Sequence, residues 1–148
     1  VEFWVYATAS DTTLMCLNTT LSVFAACRLQ VNANGSVGLL VSTSSPNVIN
    51  IATGAGTFAY NTWQHIAVVR NGGTHTVYVN GTAGASSTTI AATTAVQAGV
   101  ESVLGCIDNR NNSDFASFFQ GYIDDFRTSR YARYTANFTP PTTAHLTR

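Results

Sequence analysis

The apolar positions along this chain recur with the period of strands. In "VEFWVY", Val1, Phe3 and Val5 fall on one face and Glu2, Trp4 and Tyr6 on the other. Phe24 to Val31 reads as a strand, Asn32 to Gly35 as a turn and Val37 to Val41 as the returning strand, with Asn34-Gly35 a strong hairpin signal. Val48 to Ala52 is short and β-branched, and Gly54-Ala55-Gly56 turns. The clearest hairpin is "WQHIAVVRNGGTHTVYVNG": His65 to Arg70 advances, Asn71-Gly72-Gly73 turns, His75 to Val79 returns, and Asn80-Gly81 ends the second strand. The Thr/Ala/Ser-rich stretch from Thr82 to Ala98 holds one strand, near Thr88 to Ala92, with loop around it. Val103 to Ile107 is a strand, "DNRNNSD" a polar loop, and Phe118 to Thr128 and Tyr134 to Phe138 the last strands. No amphipathic helix of useful length and no fixed-period repeat appears. Many short strands between Gly/Asn turns predict an all-β sandwich or barrel.

At 148 residues the chain predicts one domain. It is 45% hydrophobic and 9% charged, too apolar for disorder. No stretch approaches the ~20 apolar residues of a membrane span, so membrane insertion is not expected. No basic, apolar leader opens the chain, so no signal peptide is expected. Val1 already stands within a strand, which predicts a natural chain that continues upstream. Seven acids balance seven bases, all of them arginine. A protein that lives by phosphate contacts needs surplus positive charge, so nucleic acid is not an expected partner. The cysteines, Cys16, Cys27 and Cys106, fit no zinc spacing and no disulfide framework; buried free thiols are expected. The Asn-x-Ser/Thr sequons at Asn18, Asn34, Asn80, Asn111 and Asn137 carry little weight in so Asn- and Thr-rich a chain.

Four segments occur in a telling order: "VEFWVY", "WQHIAVVRNGGTHTVYVNG", "SVLG" at Ser102 to Gly105, and "GYIDDFRTSRYARYTANFTPP" from Gly121 to Pro141. Together they resemble the laminin-G-like / concanavalin-A-like lectin-glucanase domain over nearly the whole chain. The last segment resembles versions found in bacteriophage tail-fibre and capsid-surface proteins. The resemblance implies an antiparallel jelly-roll β-sandwich, here residues 1–148 without the strand that usually precedes "EFWV". That leaves a sheet edge for a partner to fill.

The candidate chemistry is sparse. Glycanases of this fold carry alternating carboxylates on one strand, whereas Glu2 and Glu101 lie in no such pattern. Asp124 and Asp125 are adjacent and predicted to point to opposite faces, so they do not form an acid pair. Strand parity groups Asp125 with Ile123 and Arg127, and Asp124 with Tyr122 and Phe126. Asp124 is then half-buried, and its expected role is structural. Arg127, Arg130 and Arg133 with Tyr131 and Tyr134 read as closing-strand packing, and Pro140-Pro141 as the strand's end. Relatives in the resembled group often hold calcium near one rim, for which Asp108, Asp114 and Asp124 are the candidate ligands here, but a merely solvated loop is the favoured expectation for "DNRNNSD". In the same loop Asp108, Asn109, Arg110, Asn112 and Asp114 offer planar hydrogen bonds to sugar hydroxyls, and Phe115 a face to stack on. Core positions are expected for Trp4 and Trp63, and exposed ones for His65, His75 and His145. The expectation is a non-catalytic adhesion or decoration module on a virion, extracellular or cell surface. Its partners would be a glycan or cell-surface receptor, neighbouring virion subunits, and further copies in a homo-oligomer or larger assembly. A purely structural virion subunit is the alternative, and a glycan-active hydrolase ranks below it.

Overall fold

The structure is a computed structural model that describes residues 1–19, 25–42, 48–88, 101–109 and 114–143. Two five-stranded antiparallel sheets face one another, as the pattern of short strands predicts. The first has the order β12-β1-β6-β7-β8, with β1 Glu2–Ala7, β6 Trp63–Asn71, β7 Thr74–Val79, β8 Thr82–Ser87 and β12 Gly121–Arg127. The second has the order β5-β4-β3-β2-β9, with β2 Thr12–Thr19, β3 Ala25–Val31, β4 Val37–Ser42, β5 Val48–Ala52 and β9 Glu101–Leu104. A small hairpin, β10 Ile107–Asn109 with β11 Asp114–Ala116, lies beside β2 and β3. No helix among the described residues is long and apolar enough to cross a membrane.

The core fills the space between the sheets. Phe3, Val5, Ile66, Val77 and Val79 come from the first sheet, and Leu14, Met15, Leu29, Leu39, Val41 and Ile49 from the second. Each such side chain contributes ~1.5–3 kcal/mol by leaving water. Cys16, Cys27 and Cys106 form no disulfide among the described residues. Burial pushes the Cys27 thiol up to about 12, so it stays protonated and inert.

Several expected elements differ, each for a local reason. β2 was not foreseen, because an extra residue between Thr13 and Met15 breaks its alternation against β3 and buries Leu14 and Met15 alike. β8, Thr82–Ser87, was not expected as a strand, and the strand expected near Thr88 to Ala92 lies, beyond Thr88, outside the described residues. Asn80 and Gly81 both have positive φ, 51° and 77°, which makes them the two-residue turn of a hairpin and not merely a strand end. The expected strand Val103–Ile107 bends at Gly105-Cys106 and divides into β9 and β10. Phe118–Thr128 shortens to Gly121–Arg127.

Tyr134–Phe138 is not a strand. Residues 128–143 form an irregular strap across the outer face of the first sheet. Ala132, Tyr134 and Phe138 pack there on Ala67, Val69 and Tyr78, with the Tyr134 and Phe138 rings stacked at 3.5 Å. The strap is pinned by Phe138 N–H to the Gly81 carbonyl (2.9 Å), Ala83 N–H to Asn137 Oδ1 (3.0 Å), and Trp4 Nε1–H to the Pro141 carbonyl (3.2 Å). A Cβ on Gly81 would lie 1.8 Å from the Phe138 oxygen, so only glycine lets the strap approach here.

Candidate functional site

The outer face of the first sheet carries Glu2, Trp4 and Tyr6, since Phe3, Val5 and Ala7 fill the core. A register shift decides what joins them. Trp4 pairs with Asp124 but Glu2 pairs with Arg127, so Asp125 and Phe126 together oppose Phe3. Asp125 has φ 49° and donates its N–H to the Asp124 carboxylate at 2.8 Å, which holds the bulge. The bulge turns Phe126 onto Phe3, with ring centroids 5.8 Å apart, and delivers Arg127 to Glu2. The sequence-based parity, with Arg127 beside Ile123, is therefore corrected. Asp124 is exposed rather than half-buried.

Glu2 is only 2% exposed yet fully surrounded. Its Oε1 accepts from Arg127 Nε at 2.9 Å and lies 3.1 Å from Arg133 Nε, and its Oε2 accepts from Tyr134 Oη–H at 2.6 Å and lies 3.4 Å from His65 Nε2. Burial alone would raise its pKa. The hydrogen bonds from Tyr134 and Arg127, and the charges of Arg127 and His65, outweigh that and hold the carboxyl below its ordinary range. A carboxylate this sequestered is a fastening for the strap and β12, not a reagent. His65 (0% exposed) and His75 are buried, against expectation: the strap covers His65, whose ring lies 5.7 Å from that of Phe138, and His75 stands on the core-facing side of β7 with Val77 and Val79. His145 lies outside the described residues.

Beyond the strap's last contact no described segment covers the same face, and it is aromatic. Tyr6 on β1 is in register with Trp63 on β6 and with Tyr122 on β12. The Trp63 and Tyr122 rings stand 5.8 and 6.0 Å from the Tyr6 ring, inclined to it by 64° and 63°. Trp63 is 44% and Tyr122 66% exposed, so Trp63 is not a core residue; Trp4 is half-buried under Pro141. Three strands thus present three aromatic faces in one row, with their ends stitched close by. Thr8 N–H donates to the Gln120 carbonyl and Asn61 N–H to the Ala7 carbonyl, both at 2.9 Å. The exposed side chains of Asn61 and Gln120 make no hydrogen bond among the described residues and flank the row. Gly121 permits the β12–β1 approach: its φ is 145°, and a Cβ there would lie 1.9 Å from the Tyr6 oxygen.

The residues proposed from sequence are dispersed. Asp108 and Asn109 lie on β10, Asp114 and Phe115 on β11, and Asn109 pairs with Asp114 across the hairpin. Arg110 and Asn112 lie outside the described residues. Asp124 sits on β12, in a different sheet from Asp108 and Asp114, and uses one oxygen to hold its own bulge. Among the described residues no three His, Cys, Asp or Glu side chains gather to hold a metal ion. Sequence reasoning passed over Tyr6 and Tyr122, and the signal for them is an aromatic on the non-core side at the end of each strand. Three sequon asparagines are engaged in the fold: Asn34 Oδ1 accepts from Ser36, Asn80 Nδ2 donates to Gln64, and Asn137 Oδ1 accepts from Ala83.

The chain was compared with known proteins. A laminin-G family model described as the concanavalin A-like lectin/glucanases superfamily matches residues 1–137. No curated protein matches. The native heptameric SAP-like pentraxin of Limulus polyphemus superimposes with a TM-score of 0.61 at 15% identity, over 84% of this chain and 59% of that one. An S-layer domain-containing protein of Clostridium thermocellum is similar at 20% identity over 84% of this chain and 60% of its own, with a TM-score of only 0.38. The chain therefore spans about three fifths of either solved structure. The likeness to the pentraxin is one of fold, and the family match extends through the strands, the Glu2 fastening and most of the strap: the chain belongs to the concanavalin A-like lectin/glucanases superfamily.

Proposed function

We propose that this domain is a non-catalytic glycan-binding module whose ligand rests on the row Trp63–Tyr6–Tyr122. The observation that carries the reading is the row itself. Three rings from three adjacent strands stand in register, and the two outer ones are largely exposed. Solvent-exposed aromatics are costly to display, and a cluster of them marks a contact surface. The apolar C–H face of a sugar ring packs on such a surface, while hydroxyls at its rim pair with nearby amides. Asn61 and Gln120 supply those amides, and neither is committed elsewhere among the described residues. A near-neutral protein suits a neutral, hydroxyl-rich ligand. The lectin/glucanase family match supports binding to carbohydrate. Against hydrolysis stands the arrangement of carboxylates: Glu2 is sequestered, and Asp124 is tied to its own bulge.

A second reading, a subunit that packs on its neighbours, draws on Phe118 (62% exposed) and Leu104 (47%). One experiment separates the two. The domain and its Trp63→Ala variant are applied to a glycan array, with calcium and then with chelator. Binding by the wild type to a defined sugar class is expected, along with a loss on the order of 2 kcal/mol, about thirtyfold, in the variant. Because Trp63 is exposed, the variant's stability should shift by no more than ~0.5 kcal/mol. Binding that survives in Trp63→Ala but vanishes with chelator would return the site to the residues around Asp108–Phe115. No binding by well-folded protein would favour the packing role.

A further inference from the structure

At the opposite end of the same sheet the strap and the β6–β7 hairpin enclose a cleft of about 340 Å³. That volume lies at the lower end of the ~300–1,000 Å³ typical of small-molecule sites, room for about one sugar ring. Its walls are uneven in charge. Arg70 and His75, paired across the hairpin, line one side, and Arg130, Tyr131 and Arg133 of the strap line the other. Glu2 is the one acid among the described lining residues, and it is already engaged by Arg127, Arg133 and Tyr134. Against it that lining sets three arginines, Arg70, Arg130 and Arg133. Arg130 is exposed and has no ion pair or hydrogen bond among the described residues. Tyr131, 68% exposed, accepts a hydrogen bond from Arg133 Nη1 at 3.2 Å, which fixes its ring beside the charge.

We propose that this cleft is a second binding site, separate from the aromatic row, for an oxyanion carried by a ligand about the size of a single sugar. Arg130 faces the anionic group, a carboxylate, sulfate or phosphate, since guanidinium groups pair with planar or tetrahedral oxyanions through paired N–H donors; Arg70, whose Nε–H donates to the Gly72 carbonyl at 3.2 Å, lines the far wall. The ring of the ligand lies against Tyr131. The site does not depend on the row, so one can fail while the other stands.

The test is a titration followed by amide and Arg Nε–H NMR, with glucuronate, glucose 6-phosphate, inorganic phosphate, inorganic sulfate and neutral glucose as probes. Val1 borders the cleft, so the titration is repeated on the longest natural chain that contains these residues. Glucuronate and glucose 6-phosphate should saturably shift residues 129–133 and the Arg70–His75 hairpin, with glucose at least tenfold weaker. Inorganic phosphate or sulfate binding as well as the sugar acids would show that the anion alone is recognised and overturn the sugar-sized ligand. Arg130→Gln should weaken the sugar acids at least tenfold and leave binding at the row unchanged. Ionic strength of about 1 M, where the screening length falls to ~3 Å, should weaken the wild type likewise. Equal binding of glucose, an Arg130→Gln variant that binds like wild type, or no shift with any anion would each overturn the proposal, as would loss of binding in the longer chain.

Discussion

Glu2 shows how much one residue can fasten. Its carboxylate ties β1 to β12 through Arg127 and to the strap through Arg133 and Tyr134. Removing one partner from a buried ion cluster costs more than the cluster's net worth, because the others are left desolvated. Glu2→Leu should therefore lower unfolding free energy by about 3 kcal/mol, the lower end of the ~3–5 kcal/mol seen for buried pairs, since both arginines keep partial access to water. Urea unfolding checks this, and a change under 1 kcal/mol would remove Glu2 from its role. The sequence showed Glu2 on the non-core face of β1 but not its burial. Alternation assigns faces; it does not reveal that a non-strand segment later covers one of them. The same blindness placed His65 in solvent and Trp63 in the core. One sign was legible: "IAVV", Ile66 to Val69, is a continuous apolar run, the mark of a strand covered on both faces, and Gln64 to Ala67 are all buried.

Among the elements, the bulges explain most of what the sequence concealed. β3 to β7 followed from alternation and Gly/Asn turns, because their ladders run in regular register apart from the β2–β3 and β7–β8 joins. β2 and β8 did not, because each carries an extra residue, the one near Leu14 and the other at Gly84, where a Cβ would meet Thr53 at 2.6 Å. β12 was recognised as a strand, but its bulge reversed the facing of everything after Asp124. Deleting Asp125 would leave Phe126 opposite Phe3 and Arg127 opposite Glu2 in plain alternation, so that variant should fold. Inserting an alanine between Phe126 and Arg127 is the sharper test, since Arg127 would then turn toward the core and away from Glu2. The expected result is a chain that fails to fold cooperatively, whereas Asp125→Gly, which suits the positive φ, should fold with unchanged or slightly raised stability. Near-UV circular dichroism distinguishes the two. A well-folded insertion variant would mean that the register does not set the position of Arg127.

For the whole molecule, the two sheets, their shared core and the family were all legible from four segments in order. The site was not, because its three rings come from three strands and only the sheet brings them together. The phage association rests on the form of the last segment alone. Stability should fall in acid by two steps of one sign. Burial and the Arg70 charge push the His75 pKa down, so folding favours its neutral form. That contribution is full above the unfolded pKa of about 6.5 and is lost as pH falls through the lower folded value. Glu2, also depressed in the fold, contributes above about 4.3 and is lost below its folded value. Melting temperature should decline below about pH 6.5 and more steeply below about 4.3, with the second decline absent in Glu2→Leu.

Trp4 and Trp63 are the two tryptophans of the chain, and they stand on one face in different circumstances. Trp4 donates its Nε1–H to Pro141 beneath the strap, and Trp63 is exposed in the row. The most direct measurement follows the two indole N–H resonances, assigned with Trp63→Phe, while the best glycan from the array is added. The Trp63 signal should shift saturably with the binding curve, and that of Trp4 should stay nearly still. Saturable binding that leaves Trp63 unmoved and shifts residues 108–115 instead would contradict the aromatic row as the site.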